Sequence, residues 1–292
     1  QYPNNKVFTG IYAYGRLLGQ GIYTWFNHEQ KISFWLHEEK EKKKIADDVE
    51  TLFLSSDFAR LEELARDFRK TKSMFSDGNL KLNFFYNGIA SYKRVSRDED
   101  WNARFQILKK WCKTRPESIT AHVATAHFYV CYAWFARGTG WSTSVSDDSR
   151  QLFNERLKKA EAILSQAERL NDTCPFYWSV YQKTALGLRF DRAKYEEIYS
   201  RAIAAEPDNY TCFFQKAQYL LKRWFGEDGE WENFALTVAD STGGEKGDIL
   251  YARIVWCIMS YYDLRDQNTR IDWDRVKKGF DLIHNIKLPE EF

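Results

Sequence analysis

Three loops of the sequence combine arginine, tryptophan and glycine, residue types that suit the binding of an anionic group. They span residues 136–141 (ARGTGW), residues 223–231 (RWFGEDGEW) and the turn 242–248, which runs into Tyr251-Ala252-Arg253. A guanidinium can pair with a carboxylate or stack on an indole, and glycine lets the backbone turn tightly. Two interpretations follow: the arginines brace neighbouring helices, which we favour, or they converge on a carboxylate or a peptide terminus. The candidate binding residues are Arg137, Trp141, Arg223, Trp224 and Arg253.

A histidine and a cysteine could share one face of a predicted helix. His127 and Cys131 are four residues apart, and His122 lies on the same helix. No further ligand follows at the spacing of a metal site. The five cysteines are an odd number without a CxxC pair, which indicates free, buried thiols. We therefore predict a core histidine and a core cysteine, with no metal and no cofactor.

Signatures of nucleophilic or phosphate chemistry are missing from the sequence. It has no GxSxG elbow, and residues 242–248 (TGGEKGD) do not match the phosphate loop GxxxxGK[ST]. The interpretation favours a helix-entry turn at 242–248. Whether the protein is an enzyme stays open at this stage, and the sequence favours a non-catalytic role.

The charge balance argues against a polyanionic partner. The 292 residues contain 43 Lys or Arg and 41 Asp or Glu, which gives a formal charge of +2. Basic and aromatic residues interleave at Lys109-Lys110-Trp111, as in a single-strand groove, but no basic cluster accompanies them. We predict no binding of nucleic acid.

The elements that must position these loops are helices. From about residue 43 onward, apolar residues recur at helical spacing, which predicts about twelve helices with Asp57 and Ser146 as N-caps. Pro116 and Pro207 interrupt helices as in the joints of stacked hairpins. The segment 118–136 is apolar on every side, which predicts a helix packed between layers. We therefore expect an all-α domain of tetratricopeptide-like stacked helical hairpins, an α-solenoid, over residues 40–292.

Residues 1–39 differ from the rest in composition and are predicted to be an aromatic- and glycine-rich arm. The motif Gly10-Ile11-Tyr12-Ala13-Tyr14 is repeated in similar form as Gly21-Ile22-Tyr23-Thr24-Trp25. A solvated helix is predicted to start in the charged run 38–44. Because the chain starts with Gln and not Met, we expect it to have been processed or cut from a longer sequence. The arm could dock on the helical body, on another subunit, or at a membrane. The candidate contact residues are Tyr12, Tyr14, Tyr23, Trp25, Phe26, Phe34 and Trp35.

The three loops, together with Gly78 and the run Phe84-Phe85-Tyr86, resemble a known family. The order of these motifs along the chain and their residue patterns are similar to those of the bacterial domain-of-unknown-function family numbered 4034. That family carries an Ala-Arg-Gly-x-Gly loop, an Arg-Trp-x-Gly-x-x-Gly loop and a Gly-x-x-Gly-Asp-x-x-Tyr-Ala-Arg helix entry. The resemblance covers about residues 45–288 and implies a tetratricopeptide-like helical domain with no established activity. The arm lies outside it.

The predicted stack of helical hairpins and the aromatic arm together indicate a function in protein interaction. We expect a protein-interaction scaffold or accessory subunit of a larger assembly, including one at a membrane, whose arm contacts a protein partner. The alternative is a binder of small molecules or carboxylates, or an enzyme, that uses the Arg/Trp/Gly loops. The compartment is open, with the cell envelope or periplasm ahead of the cytoplasm.

Overall fold

The structure is a computed structural model that describes residues 29–90, 97–138, 145–170, 173–259 and 270–287, with side chains described between residues 38 and 283. These residues form twelve α-helices and no sheet, with one isolated antiparallel bridge between Met74 and Leu80. The all-α prediction is confirmed for this part of the chain. The helices are α1 (Glu29–Leu54), α2 (Phe58–Thr71), α3 (Lys81–Ala90), α4 (Asp98–Thr114), α5 (Ile119–Arg137), α6 (Asp147–Ala167), α7 (Pro175–Gly187), α8 (Arg192–Ala205), α9 (Tyr210–Tyr219), α10 (Glu230–Thr242), α11 (Gly244–Met259) and α12 (Trp273–Lys287).

Local capping chemistry sets several helix starts. The side chain of Asp57 accepts a hydrogen bond from the backbone N–H of Arg60, and that of Ser146 accepts one from Ser149, so both predicted N-caps are confirmed. Ser118 caps α5 in the same way, directly after the Pro116 joint. These short-range contacts explain why the helix order could be predicted from the sequence.

Two predicted helix bounds were wrong. The helix expected to start in the run 38–44 begins at Glu29, so α1 continues through residues 38–44 without a break. The apolar spacing also predicts a helix over about residues 209–224, but this helix ends at Tyr219. The chain turns at 220–226, where the N–H groups of Trp224 and Gly226 both donate to the carbonyl of Leu221. The division at residue 39 into an arm and a domain stays a prediction.

The chain divides into two compact units, of which the first is Glu38–Tyr219. Within it α5 is the central helix and packs against α3, α4, α6 and α7. Its buried side chains lie on all sides, as the apolar segment predicted. Helix α7 in turn packs against α6, α8 and α9. Aromatic rings fill the interior, and the ring of Tyr86 in α3 stacks on Phe176 in α7 with centroids 4.6 Å apart.

A buried polar contact joins α1 to the loop before α3. The Glu38 carboxylate is 5% exposed and accepts hydrogen bonds from the backbone N–H of Ser76 (3.1 Å) and from its hydroxyl (2.8 Å). One turn further on, Lys42 donates to Asp77 at 2.8 Å. Because both contacts are shielded from water, they hold the middle of α1 against the loop.

The second unit includes Leu220–Met259 and 270–287, with α11 packed against both α10 and α12. Glycine permits the close approach of these helices. A Cβ on Gly247 would lie 2.2 Å from the carbonyl oxygen of Ala239 in α10. A Cβ on Gly279 would lie 2.3 Å from the carbonyl oxygen of Asp248 in α11. Neither position can hold a side chain without separating the helices.

Candidate functional site

Arg137 lies at the carboxyl end of α5, where its side chain contacts Trp134 and Gly138 of the same segment. Its guanidinium lies over the Trp134 ring, 5.4 Å from the centroid, and Nη1 donates to the carbonyl of Gly138 at 3.3 Å. Gly138 turns the chain with a φ of 71°, and its N–H donates to the carbonyl of Trp134. A cation at a helix carboxyl end also stabilises the helix dipole. Both contacts lie within the carboxyl end of α5, so the choice between bracing and ligand binding stays a prediction. Trp141, the other candidate of this loop, lies outside the described residues.

The loop with Arg223 and Trp224 is a tight turn in the second unit. Arg223 is exposed and Trp224 is half-buried. A Cβ on Gly226 would lie 1.8 Å from the carbonyl oxygen of Leu220, so the backbone passes directly over itself there. Gly229 precedes α10 with a φ of 79°, a conformation that glycine adopts without strain.

Arg253 lies inside the second unit, in the middle of α11, with only 8% of its surface exposed. The turn that leads to it, 242–248, joins α10 to α11 through Gly243 and Gly244, which both have a positive φ. The turn is therefore a helix entry, as predicted. Convergence of Arg137, Arg223 and Arg253 on one ligand stays a prediction.

His127 and Cys131 lie against each other inside the first unit. The Cys131 Sγ is 3.5 Å from His127 Nε2, which is also 3.2 Å from Asn87 Oδ1 in α3. Burial first, and then the positive charge of Lys183, lower the pKa of His127 to about 3. Burial raises the pKa of Cys131 to about 12, against a smaller lowering effect of Lys183. Both groups are therefore neutral near pH 7, whereas a nucleophilic cysteine requires a lowered pKa.

The third candidate metal ligand of α5, His122, is engaged by the backbone. Its Nδ1 forms a hydrogen bond of 2.8 Å with the backbone carbonyl of Ser118. Among the described residues, no three His, Cys, Asp or Glu side chains are grouped so that they could hold a metal ion.

Sequence reasoning missed two charged groups. Lys183 in α7 influences both His127 and Cys131, although the three residues come from different turns of two helices. Glu232 in α10 is 7% exposed, and its Oε2 has no hydrogen-bond partner among the residues described. Burial raises the pKa of Glu232, and its own backbone N–H and the charge of Arg270 offset only part of this. No local pattern signals either group, because packing between helices creates both environments.

The predicted contact residues of the arm fall largely outside the described part. Tyr12, Tyr14, Tyr23, Trp25 and Phe26 lie outside the described residues. The backbone of Phe34 and Trp35 belongs to α1. In the part of the chain that the structure describes, no helix has both the length and the apolar composition needed to cross a membrane.

Comparison with known proteins gives one match. No curated protein and no solved structure matches the chain. One family model, that of a domain of unknown function, matches residues 46–169. The match includes α2 to α6 and the Arg137 loop, whereas the resemblance of the Arg223 and Arg253 loops to the same family stays a prediction. Residues 46–169 are similar to the domain of unknown function DUF4034.

Proposed function

We propose that the protein is a non-catalytic interaction scaffold, built of tetratricopeptide-like stacked helical hairpins and joined to a protein partner through the aromatic arm at residues 1–39. The packing order of the helices in the first unit is the observation that carries the proposal.

Alternate helices of this unit pack on one another. Helix α3 packs on α5, α5 on α7, and α7 on α9, while α4 and α6 each pack on the helix that follows them. Stacked helical hairpins have this order, because the first helix of each hairpin lies beside the first helix of the next. Such a stack presents side chains from rigid elements over an extended surface, which suits the recognition of another protein.

The state of the candidate reactive groups supports a non-catalytic role. His127 and Cys131 are both neutral, as described above, and burial also raises the pKa of Cys212 to about 12. A general base or nucleophile needs a pKa near the working pH, and these groups are shifted away from it. Arg137, a candidate for binding carboxylates, is engaged by Trp134 and Gly138. These observations favour the scaffold over the enzyme or small-molecule binder.

The arm supplies the proposed attachment. Its tyrosine, tryptophan and phenylalanine residues are of the types that carry most of the binding energy at protein interfaces. An assembly at a membrane is one setting for such an accessory subunit.

Site-specific photo-crosslinking with the full chain in its native host tests the proposal. A photoreactive phenylalanine analogue at Trp25 should give one discrete adduct with a partner protein, and the same analogue at the exposed Lys158 of α6 should give none. The double variant Tyr23→Ala/Trp25→Ala should lose the co-purifying partner while its circular dichroism and thermal midpoint stay unchanged. The proposal is wrong if Trp25 gives no adduct, or if the double variant retains the partner.

A further inference from the structure

Two exposed apolar side chains lie on neighbouring helices of the first unit. Among the described residues, four large hydrophobic side chains are exposed: Leu54, Phe135, Leu152 and Trp273. Phe135 in α5 is 39% exposed and Leu152 in α6 is 41% exposed. Because α5 and α6 pack on each other, these two side chains can belong to one surface.

Two contacts set the register between α5 and α6. The guanidinium carbon of Arg156 lies 3.2 Å from the centroid of the Tyr132 ring, and its Nη1 donates to the carbonyl of Tyr132 at 2.8 Å. The ammonium of Lys159 lies 5.7 Å from the centroid of the Tyr129 ring. The residue numbers rise along α6 as they fall along α5, so the two helices are antiparallel.

The same register brings the exposed apolar side chains to one level. Leu152 precedes Arg156 by about one helical turn, and Phe135 follows Tyr132 by about one turn. The surface is therefore apolar at one end and carries cations along the rest of its length. We call it the α5–α6 strip, and it consists of Tyr129, Tyr132, Phe135, Leu152, Arg156 and Lys159.

One cation of the α5–α6 strip is available to an anion. Lys159 is exposed, and its contact with the Tyr129 ring is its one described interaction. Arg156, in contrast, lies 3.7 Å from the carboxylate of Asp98, which also accepts a hydrogen bond from the Tyr132 hydroxyl. A negative charge on a bound partner would therefore be placed at Lys159.

A buried donor without an acceptor lies beneath the strip. Trp101 in α4 is fully buried, and its indole Nε1 has no hydrogen-bond partner among the described residues. Its ring contacts those of Phe128, Tyr132 and Phe135, with centroids 5.3, 4.9 and 5.6 Å away. Leaving such a donor unpaired is unfavourable. Phe135 is the exposed ring of the three, so it can turn aside and admit an acceptor with the least loss of packing.

The dimensions of the strip match those of an extended backbone. Tyr129 and Phe135 are six residues apart on α5, which is about 9 Å along the helix axis. A polyproline II segment places side chains i and i+3 on one face about 9.3 Å apart, and its carbonyl groups make no internal hydrogen bonds. A helical partner would have no free carbonyl for Trp101 along its length.

We propose that the α5–α6 strip binds an extended acidic segment of a partner protein in the polyproline II conformation. A large apolar side chain of the segment packs against Phe135 and Leu152, and a carboxylate three residues away pairs with Lys159. A carbonyl of the segment accepts a hydrogen bond from Trp101. The assignment rests on the proposed function, since it describes a second contact of the scaffold. An anionic membrane fits less well, because Asp98 lies at the strip and membrane-binding clusters contain several unpaired Lys or Arg.

Nuclear magnetic resonance of the full chain tests the strip, with the Trp101 indole N–H and the Lys159 backbone amide as reporters. The probe is the peptide N-acetyl-Phe-Pro-Pro-Glu-amide. Two analogues serve as matched controls, one with Gln in place of Glu and one with Ala in place of Phe. We expect the probe to shift both reporters and each analogue to bind more weakly.

Variants of the chain test each end of the strip. Leu152→Asn should weaken binding of the probe by about tenfold or more, since an apolar contact is lost. The matched control Leu54→Asn changes an exposed leucine of α1 and should bind as the wild type does. Lys159→Met should weaken binding about three- to fivefold, the effect of an exposed ion pair. Lys70→Met, at an exposed lysine of α2, should change nothing.

Any of four results would overturn the proposal. The Gln analogue binds as tightly as the probe, Leu152→Asn with an unchanged thermal midpoint binds normally, or the Trp101 indole N–H does not shift. The fourth is a shift of the same reporters with phosphatidylserine vesicles or with rising protein concentration alone, which would assign the strip to a membrane or to a second copy. The photo-crosslink at Trp25 reports on the arm alone, so failure of the strip and failure of the scaffold proposal are distinguishable.

Discussion

The side-chain amide of Asn83 in α3 donates a hydrogen bond to the hydroxyl of Thr211 in α9 at 2.9 Å, across 128 residues of sequence. Asn83 is 5% and Thr211 8% exposed, so water does not compete for this contact. The hydrogen bond therefore joins two helices of the first unit, α3 and α9, that are far apart in the sequence.

Loss of that hydrogen bond should destabilise the first unit. Asn83→Ala should lower the free energy of unfolding by about 1–3 kcal/mol, because it removes a buried polar contact and leaves the Thr211 hydroxyl without its donor. Urea denaturation measures the change. In a double-mutant cycle with Thr211→Val, the two effects should not add. Full additivity would show that the contact contributes nothing.

A buried ion pair between α1 and α4 gives a second prediction. The side chains of Arg104 and Glu50 are 8% and 11% exposed, and Arg104 also donates to the carbonyl of Ile89 at 2.9 Å. Arg104→Met should cost about 3–5 kcal/mol, since it leaves a buried carboxylate unpaired. The double variant Arg104→Met/Glu50→Leu should recover much of that loss. Chemical denaturation of the three variants tests this, and equal losses in the single and double variants would contradict it.

Burial of Glu232 predicts a pH-dependent stability effect. Its raised pKa means that the folded chain binds the proton more tightly than the unfolded chain does. The contribution of Glu232 to stability is therefore greatest below the unfolded pKa and is lost as the pH rises through the folded value. Glu232→Gln should raise the thermal midpoint at pH 7 relative to the wild type, and the difference should shrink towards pH 4. A constant difference across this range would contradict the prediction.

The close crossing of α10 and α11 gives a fourth prediction. Gly247→Ala should cost about 1–3 kcal/mol, because the new methyl group meets the backbone carbonyl of Ala239 and the helices must separate. Lys246→Ala, an exposed neighbour on α11, should change stability by less than about 0.5 kcal/mol. Thermal unfolding of both variants is the measurement, and equal midpoints would refute the crossing geometry.

Arg137 should act on stability and not on partner binding. Arg137→Ala removes the contact with the Trp134 ring and the hydrogen bond to Gly138, at a cost of about 1 kcal/mol. The Trp25 photo-crosslink should persist in this variant. Loss of the crosslink with an unchanged thermal midpoint would instead make Arg137 a binding residue.

The parts of the fold that were predicted correctly depend on short-range chemistry. The caps at Asp57 and Ser146 follow from hydrogen bonds within one turn, and the uniformly apolar α5 shows in its sequence that it lies between other helices. The start of α1 at Glu29 was missed because the preceding aromatic and glycine residues gave no helical period.

The surroundings of His127 could not be predicted in this way. Asn87 of α3 lies 3.2 Å from its Nε2, the charge of Lys183 in α7 contributes to its lowered pKa, and His127 was identified only as a core residue. Nothing in the local sequence distinguishes Lys183 from a solvated lysine. Its environment results from packing between distant segments, as does the burial of Glu232, so only the assembled structure reveals either group.

The continuity of α1 means that the predicted boundary at residue 39 falls inside a helix. The helix begins at Glu29 and runs unbroken to Leu54, and the carboxylate of Glu38 is held by Ser76. Removal of residues 1–39 would therefore cut α1 within its length and take away the carboxylate that Ser76 binds.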